Sequence, residues 1–309
     1  MPTRIYHHPV FAEHMTGPGH AERPERMEAV AKALSDPAFA SFERTLAPEG
    51  SVEAVYRCHS EQHVRRIAKS IPASGTLRIE ADTVVSPKSF EAALRAVGAA
   101  CAAVDDVVEG RADNVFVASR PPGHHATPEE AMGFCLFNAA AIAARHAQAT
   151  HGIERVAIVD WDVHHGNGTQ DIFWNDPTVL FASTHEMPLY PGTGAKTETG
   201  TANNIVNAPL SAGDGGEAFR DAFETRVLPA LEAFRPDLVI VSAGFDAHHR
   251  DPLANLRFVE DDYDWATGRL MGIADRLAGG RLVSLLEGGY DLVGLERSVA
   301  AHVARLGHG

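Results

Sequence analysis

Residues 155–169 hold the side chains best suited to chemistry. Asp160, Asp162, His164 and His165 follow the apolar run 156–159 with no turn residue between. On an extended chain, side chains two apart point the same way, so Asp160, Asp162 and His164 are expected on one face. Two carboxylates and an imidazole crowded at the end of a buried strand repel and desolvate one another unless a cation sits among them. Asp and His are normal ligands for Zn²⁺ or a similar first-row ion. A salt-bridged strand end with a satisfied core histidine is the competing reading, and it suits a lone Asp or His better than D-x-D-x-H-H.

A second apolar run, 237–246, finishes on Gly244-Phe-Asp246. Asp162, His164 and Asp246 together make a three-ligand set with one position open, the pattern of a catalytic zinc, which polarises a carbonyl as a Lewis acid. A rigid loop, Arg120-Pro-Pro-Gly, carries the adjacent His124 and His125. Histidine titrates near neutral pH, so these two suit the roles of base and acid. Asp160 and Asn167 are the candidates to bond the far ring nitrogens and fix each tautomer. Tyr290, on a glycine-flanked turn, can donate to a developing oxyanion. Metal-assisted amide hydrolysis uses all of these parts.

Strands and helices must alternate to bring such residues together. Residues 4–9 read as a short strand leading into a loop, and the runs at 114–119, 156–159, 178–184, 237–246 and 281–287 read as strands, mostly buried on both faces. Helices are expected at 24–34, 60–70, 88–109, 139–149, 217–234, 261–277 and 292–306, with 82–87 a loop. This alternation implies an α/β fold: a mainly parallel central sheet with helices on both faces. In such sheets ligands bind beyond the carboxyl ends of the strands, where His124, His125, Asp160 to His165, Asp246 and Tyr290 all fall. The loop residues His14, His20 and Glu22 are read as structural.

A length of 309 residues permits two domains, but α/β sheets often reach this size as one unit, so 1–309 is read as a single domain. The net charge of −14 argues against nucleic acid or an anionic membrane as partner and is compatible with cationic substrates. Three cysteines outside C-x-x-C spacing argue against a disulfide framework. No leader and no membrane-length apolar run is evident, which points to a cytoplasmic enzyme.

The motifs R-P-P-G-H-H-A, G-F-C-L-F-N, V-D-W-D-V-H-H-G-N-G-T-Q, S-A-G-F-D-A-H and L-E-G-G-Y-D resemble those of the histone deacetylase family, on its class II side. The resemblance runs from about Tyr6 to Leu306 and includes D-T-V-V-S-P-K-S-F before the 88–109 helix. It implies an arginase-like sheet and a zinc-dependent deacetylase, with Asp162, His164 and Asp246 as the metal ligands. His124 paired with Asp160 becomes the electrostatic histidine, His125 the general base and acid, and Tyr290 the carbonyl-polarising hydroxyl. Phe134, beside Gly133, and Tyr190 become the walls of a channel for an acyl-lysine stem, and Asp82 a rim residue that holds the substrate backbone. Backbone carbonyls of Asp160, Asp162 and His164, with Ser183, resemble the family's inner potassium site.

Two departures refine this. Asn167 replaces the aspartate of class I members, as is usual in class II; a neutral partner favours imidazolium less, so His125 should be the weaker base. Leu253 stands where polyamine-selective relatives tend to carry glutamate. The expected substrate is therefore an acylated lysine peptide or protein or a similar acylated small amine, with an acetylpolyamine as runner-up. A non-catalytic acyl-lysine-binding module and a two-metal ureohydrolase are further alternatives. Zn²⁺ or Fe²⁺ in the site, and a monomer or homo-oligomer, are left open.

Overall fold

The structure, a computed structural model, describes residues 3–308. Met1, Pro2 and Gly309, the outermost positions of the expected 1–309 domain, lie outside the described residues. Among the described residues ten strands form, in chain order: β1 (Arg4–His7), β2 (Glu43–Leu46), β3 (Leu77–Arg78), β4 (Val84–Val85), β5 (Asn114–Val117), β6 (Val156–Asp160), β7 (Val179–Glu186), β8 (Ile205–Leu210), β9 (Leu238–Ala243) and β10 (Leu282–Leu286). Eight of them make one sheet in the order β2-β1-β5-β10-β9-β6-β7-β8, and every pairing in it is parallel.

The continuous apolar runs explain the middle of this sheet. β5, β6, β9 and β10 are buried along their whole length, because helices cover both faces. Alternate residues feed two cores. Val156 and Ile158 join the Ala-rich helix Ser89–Val108 and the helix Ala139–His151 on one side. Ala157 and Val159 join the helices Glu25–Leu34, Glu260–Leu277 and Leu292–Gly307 on the other. Among the described residues no helix is long and apolar enough to cross a membrane.

Several elements depart from the sequence reading. β2 and β8 are strands where none was expected. Both are outermost in the sheet; β2 is largely exposed and β8 contains Pro209, so neither shows the apolar run of an inner strand. The expected loop around Asp82 lies in a short antiparallel hairpin, β3–β4. The expected helix at 217–234 is broken by a π turn, Phe223–Val227, just ahead of Pro229, whose missing N–H cannot continue the α ladder.

Candidate active site and metal centre

β5, β10, β9 and β6 are consecutive in the sheet, and the segments leaving their carboxyl ends carry His124 and His125, Tyr290, Asp246, and Asp162 with His164 respectively. β6 itself stops at Asp160. Beyond it the chain bends, because Asp160 Oδ1 accepts the Asp162 N–H at 3.0 Å and Asp162 Oδ1 accepts the His164 N–H at 2.9 Å. The shared face expected from an extended strand is thus replaced by two successive side-chain-to-backbone turns.

These turns aim His164 Nδ1 between two carboxylates, 3.3 Å from Asp162 Oδ1 and 3.2 Å from Asp246 Oδ2. Ligand atoms of Asp162, His164 and Asp246 all lie within 4.8 Å of one another, and all three residues are buried. A tetrahedral ion with bonds of about 2.1 Å sets its ligand atoms about 3.4 Å apart, which these spacings match. The surrounding backbone orients the carboxylates: Gly288 N–H donates to Asp162 Oδ2 at 2.8 Å and Val163 N–H to Asp246 Oδ1 at 2.8 Å. Gly288 also closes the cradle, since a Cβ there would lie 2.1 Å from Asp246 Oδ2. The electrostatics ask for positive charge. Burial opposes protonation of His164, yet Asp162 and Asp246 pull it up to about 10. Burial and the neighbouring Asp162 push Asp246 up to about 7. The donor set and its spacing therefore fit a divalent ion.

Above the cluster stand the two histidines. His124 Nδ1 donates to Asp160 Oδ2 at 2.9 Å, and His125 Nδ1 to Asn167 Oδ1 at 2.8 Å. Both candidate orienting residues thus find one partner each. Burial disfavours charge on His124, but Asp162 and Asp160 outweigh it and hold the imidazole well above its ordinary value. His125 goes the other way: burial first, then the neighbouring His124 and His164, hold it well below. One ring kept charged and one kept neutral is the division of labour expected of an acid–base pair. With one oxygen bonded to His124 and the other to the Asp162 N–H, Asp160 is poorly placed to serve the second ion of a two-metal centre.

Gly133 lies flat against His125: a Cβ there would come within 2.3 Å of the ring, and φ is +54°. Phe134 also takes a positive φ, 69°, and its ring packs edge-on to Tyr290 at 5.7 Å and to His20 at 4.9 Å. Tyr190 stands over the site from another loop, with its ring 5.2 Å from that of His125 and 6.3 Å from that of His164. It is 39% exposed, as a residue at a mouth would be. Asp82 is half-buried on the hairpin, and its carbonyl pairs with His20 Nε2 at 3.0 Å. Leu253 N–H donates to Asp251 Oδ1 at 3.0 Å. Ser183 sits level with Asp160 across β6 and β7, and its hydroxyl pairs with His185 Nδ1 at 2.8 Å.

Three positioning residues were not singled out by the sequence reading. Glu287 Oε2 accepts the N–H groups of Gly123 and His124 at 2.6 and 3.2 Å and so fixes the histidine loop. Asp251 Oδ2 accepts the Tyr290 N–H at 2.7 Å. Arg26, fully buried, donates to the carbonyls of Gly289 and Glu287 at 2.7 and 2.5 Å, and its guanidinium lies 5.1 Å from the Tyr290 ring centre. Glu22 ties Arg26 to Arg120, which agrees with its structural reading. Glu287 lies inside the L-E-G-G-Y-D motif and Asp251 stands two residues before Leu253, so the acidic character of each was a usable signal; Arg26 gave none.

Fold and cluster together define a class: parallel α/β proteins of the arginase and deacetylase type, with carboxylates and imidazoles gathered where adjacent strands end. Residues 20–306 match the histone deacetylase domain model. The histone deacetylase-like amidohydrolase of Pseudomonas aeruginosa is 43% identical over 279 residues, 88% of this chain and 73% of that protein. Histone deacetylase 14, chloroplastic, of Arabidopsis thaliana is 40% identical over 301 residues, 91% of this chain and 71% of that one. The crystal structure of the HDA15 HD domain superposes with a TM-score of 0.93 at 37% identity, covering 99% of this chain and 89% of that one. The chain belongs to the histone deacetylase family, whose members are hydrolases of acylated amines.

Proposed function

We propose that this protein is a zinc-dependent deacylase, one domain over 1–309, that removes acetyl or other short acyl groups from N-acyl-lysine side chains or similar acylated amines. The observation that carries the reading is the convergence of Asp162, His164 and Asp246 beneath the His124–Asp160 and His125–Asn167 pairs. Asp162, His164 and Asp246 would hold Zn²⁺, or Fe²⁺ in its place. The ion supplies Lewis acidity toward the acyl oxygen.

The chain's own residues do the rest. Phe134 and Tyr190 grip the apolar stem of the acylated amine, and Asp82 holds the backbone at the rim. His125, kept neutral by its surroundings, takes a proton from water as the water oxygen attacks the acyl carbon. His124, kept charged by Asp160 and Asp162, faces the growing negative charge. Tyr290 donates its hydroxyl proton in a hydrogen bond to the acyl oxygen. The carbon–nitrogen bond then breaks, and His125 returns its proton to the leaving amine, giving a free amine and a carboxylate. Potassium among the carbonyls of Asp160, Asp162 and His164, with Ser183, would steady the turn after β6. Leu253 offers no carboxylate to the distal charges of a polyamine, so acyl-lysine is placed ahead of acetylpolyamine.

Acetate release from an acetyl-lysine peptide tests this. Chelation or Asp246→Ala should abolish release, and re-addition of Zn²⁺ should restore the chelated wild type alone. Full activity after either treatment would end the proposal, and faster turnover of acetylspermidine than of the peptide would favour the polyamine reading.

A further inference from the structure

Among the described residues, one other group of metal-ligand side chains gathers as tightly as the active-site cluster. It is built from Asp105 on the helix Ser89–Val108 and from His146 and His151 on the helix Ala139–His151. Both imidazoles aim Nε2 at the same carboxylate oxygen, His146 at 2.6 Å and His151 at 2.7 Å from Asp105 Oδ1. The three ligand atoms lie within 4.8 Å of one another, and all three residues are half-buried, so an ion can reach them from solvent.

We infer that Asp105, His146 and His151 form a second site for Zn²⁺ or a similar transition-metal dication, a clip between two helices that is separate from the active site. Two imidazoles and one carboxylate are a common ligand set for such an ion, with water completing the shell. Its place in the fold adds to the attraction. Asp105 stands in the last turn of one helix and His151 is the last residue of the other, so two helix carboxyl ends, each carrying partial negative charge, converge here. The two helices pack on each other and each leads into a strand, β5 or β6. The clip therefore lies toward the amino-terminal ends of those strands, across the sheet from Asp162 and Asp246. An imidazole bound through Nε2 carries its proton on Nδ1 and needs an acceptor there. Thr150 Oγ1, 3.3 Å from His146 Nδ1, can provide it. Arg57 opposes this, with its Nη1 3.0 Å from His146 Nδ1, but it is exposed, so water can solvate its charge.

Zinc content after dialysis and gel filtration, compared between wild type and the double variant His146→Gln, His151→Gln, reads this site. Wild type should carry about one ion per chain more than the variant, and excess Zn²⁺ should raise the Tm of wild type more than that of the variant. The difference is independent of how the active-site cluster is assigned, since that cluster is unchanged in both proteins. The acetate-release rate of the variant, if the proposed activity is present, should equal that of wild type. If the double variant does not fold, Asp105→Asn, which keeps the side-chain shape and removes the charge, provides the same comparison. Equal zinc content in wild type and a folded variant would overturn the inference and leave a purely hydrogen-bonded His–Asp–His clamp.

Discussion

Tyr290 is the residue whose proposed role can be separated most cleanly from its packing. Its ring is held by Arg26 and Phe134, and its backbone N–H by Asp251. Tyr290→Phe keeps those contacts and removes only the hydroxyl. The substitution should lower kcat by about 10²–10³ with KM little changed, as for other oxyanion donors; an unchanged kcat in steady-state assays would remove Tyr290 from the chemistry. At this scale much was legible. Carboxylates and imidazoles at D-x-D-x-H-H cannot be stored together in a buried place without a charge partner, and the structure does gather Asp162 and His164 with the distant Asp246. The local path was less legible. D-x-D reads alike on an extended strand and on a chain turned by its own Asp side chains, and the second is what forms after Asp160.

The loops that carry the site are held by buried charges at the scale of elements. Arg26 joins the helix Glu25–Leu34 to the turn after β10 through the carbonyls of Glu287 and Gly289, and meets Glu22 at 3.0 Å. In Arg26→Met those carbonyls lose their donor and Glu22 keeps only Arg120 and His14 as partners. The variant should be less stable than wild type by about 3 kcal/mol in urea unfolding at neutral pH. A loss within the error of the measurement would show that the network is dispensable. Inner strands and long helices were readable because continuous apolar runs and helical periodicity leave few alternatives. β2, β8 and the β3–β4 hairpin were not, since short outer strands carry polar residues and proline like any loop. The strand order was also hidden. Nothing local in 282–286 says that the chain's last strand inserts between β5 and β9, which is what sets Tyr290 beside the histidine loop.

Over the whole molecule, several histidines are folded in their neutral form. His59 is buried, donates from Nδ1 to the Thr127 carbonyl at 2.8 Å and accepts the Asn138 N–H on Nε2 at 2.9 Å, so a second ring proton would break the latter bond. Burial brings His59 down to about 3, and His302, in the opposite core, also to about 3. Their unfolded forms take up a proton near pH 6.5, so the contribution of these two histidines to stability is full above that value. It should fall by about 1.4 kcal/mol per pH unit for each histidine as pH drops from about 6.5 toward 3. Urea midpoints at pH 7.5 and 5 would show this, and equal midpoints would contradict it.

Side chains delivered by two neighbouring strands, far apart in sequence, are expected to bind one catalytic ion. The most direct measurement is an anomalous-scattering map at the zinc edge from crystals of chelated protein re-supplied with one equivalent of Zn²⁺. The expected result is a peak bonded to Asp162, His164 Nδ1 and Asp246 at about 2.0–2.2 Å, with a position left open. Zinc bound elsewhere in the chain, with those three side chains still bonded only to protein, would contradict it.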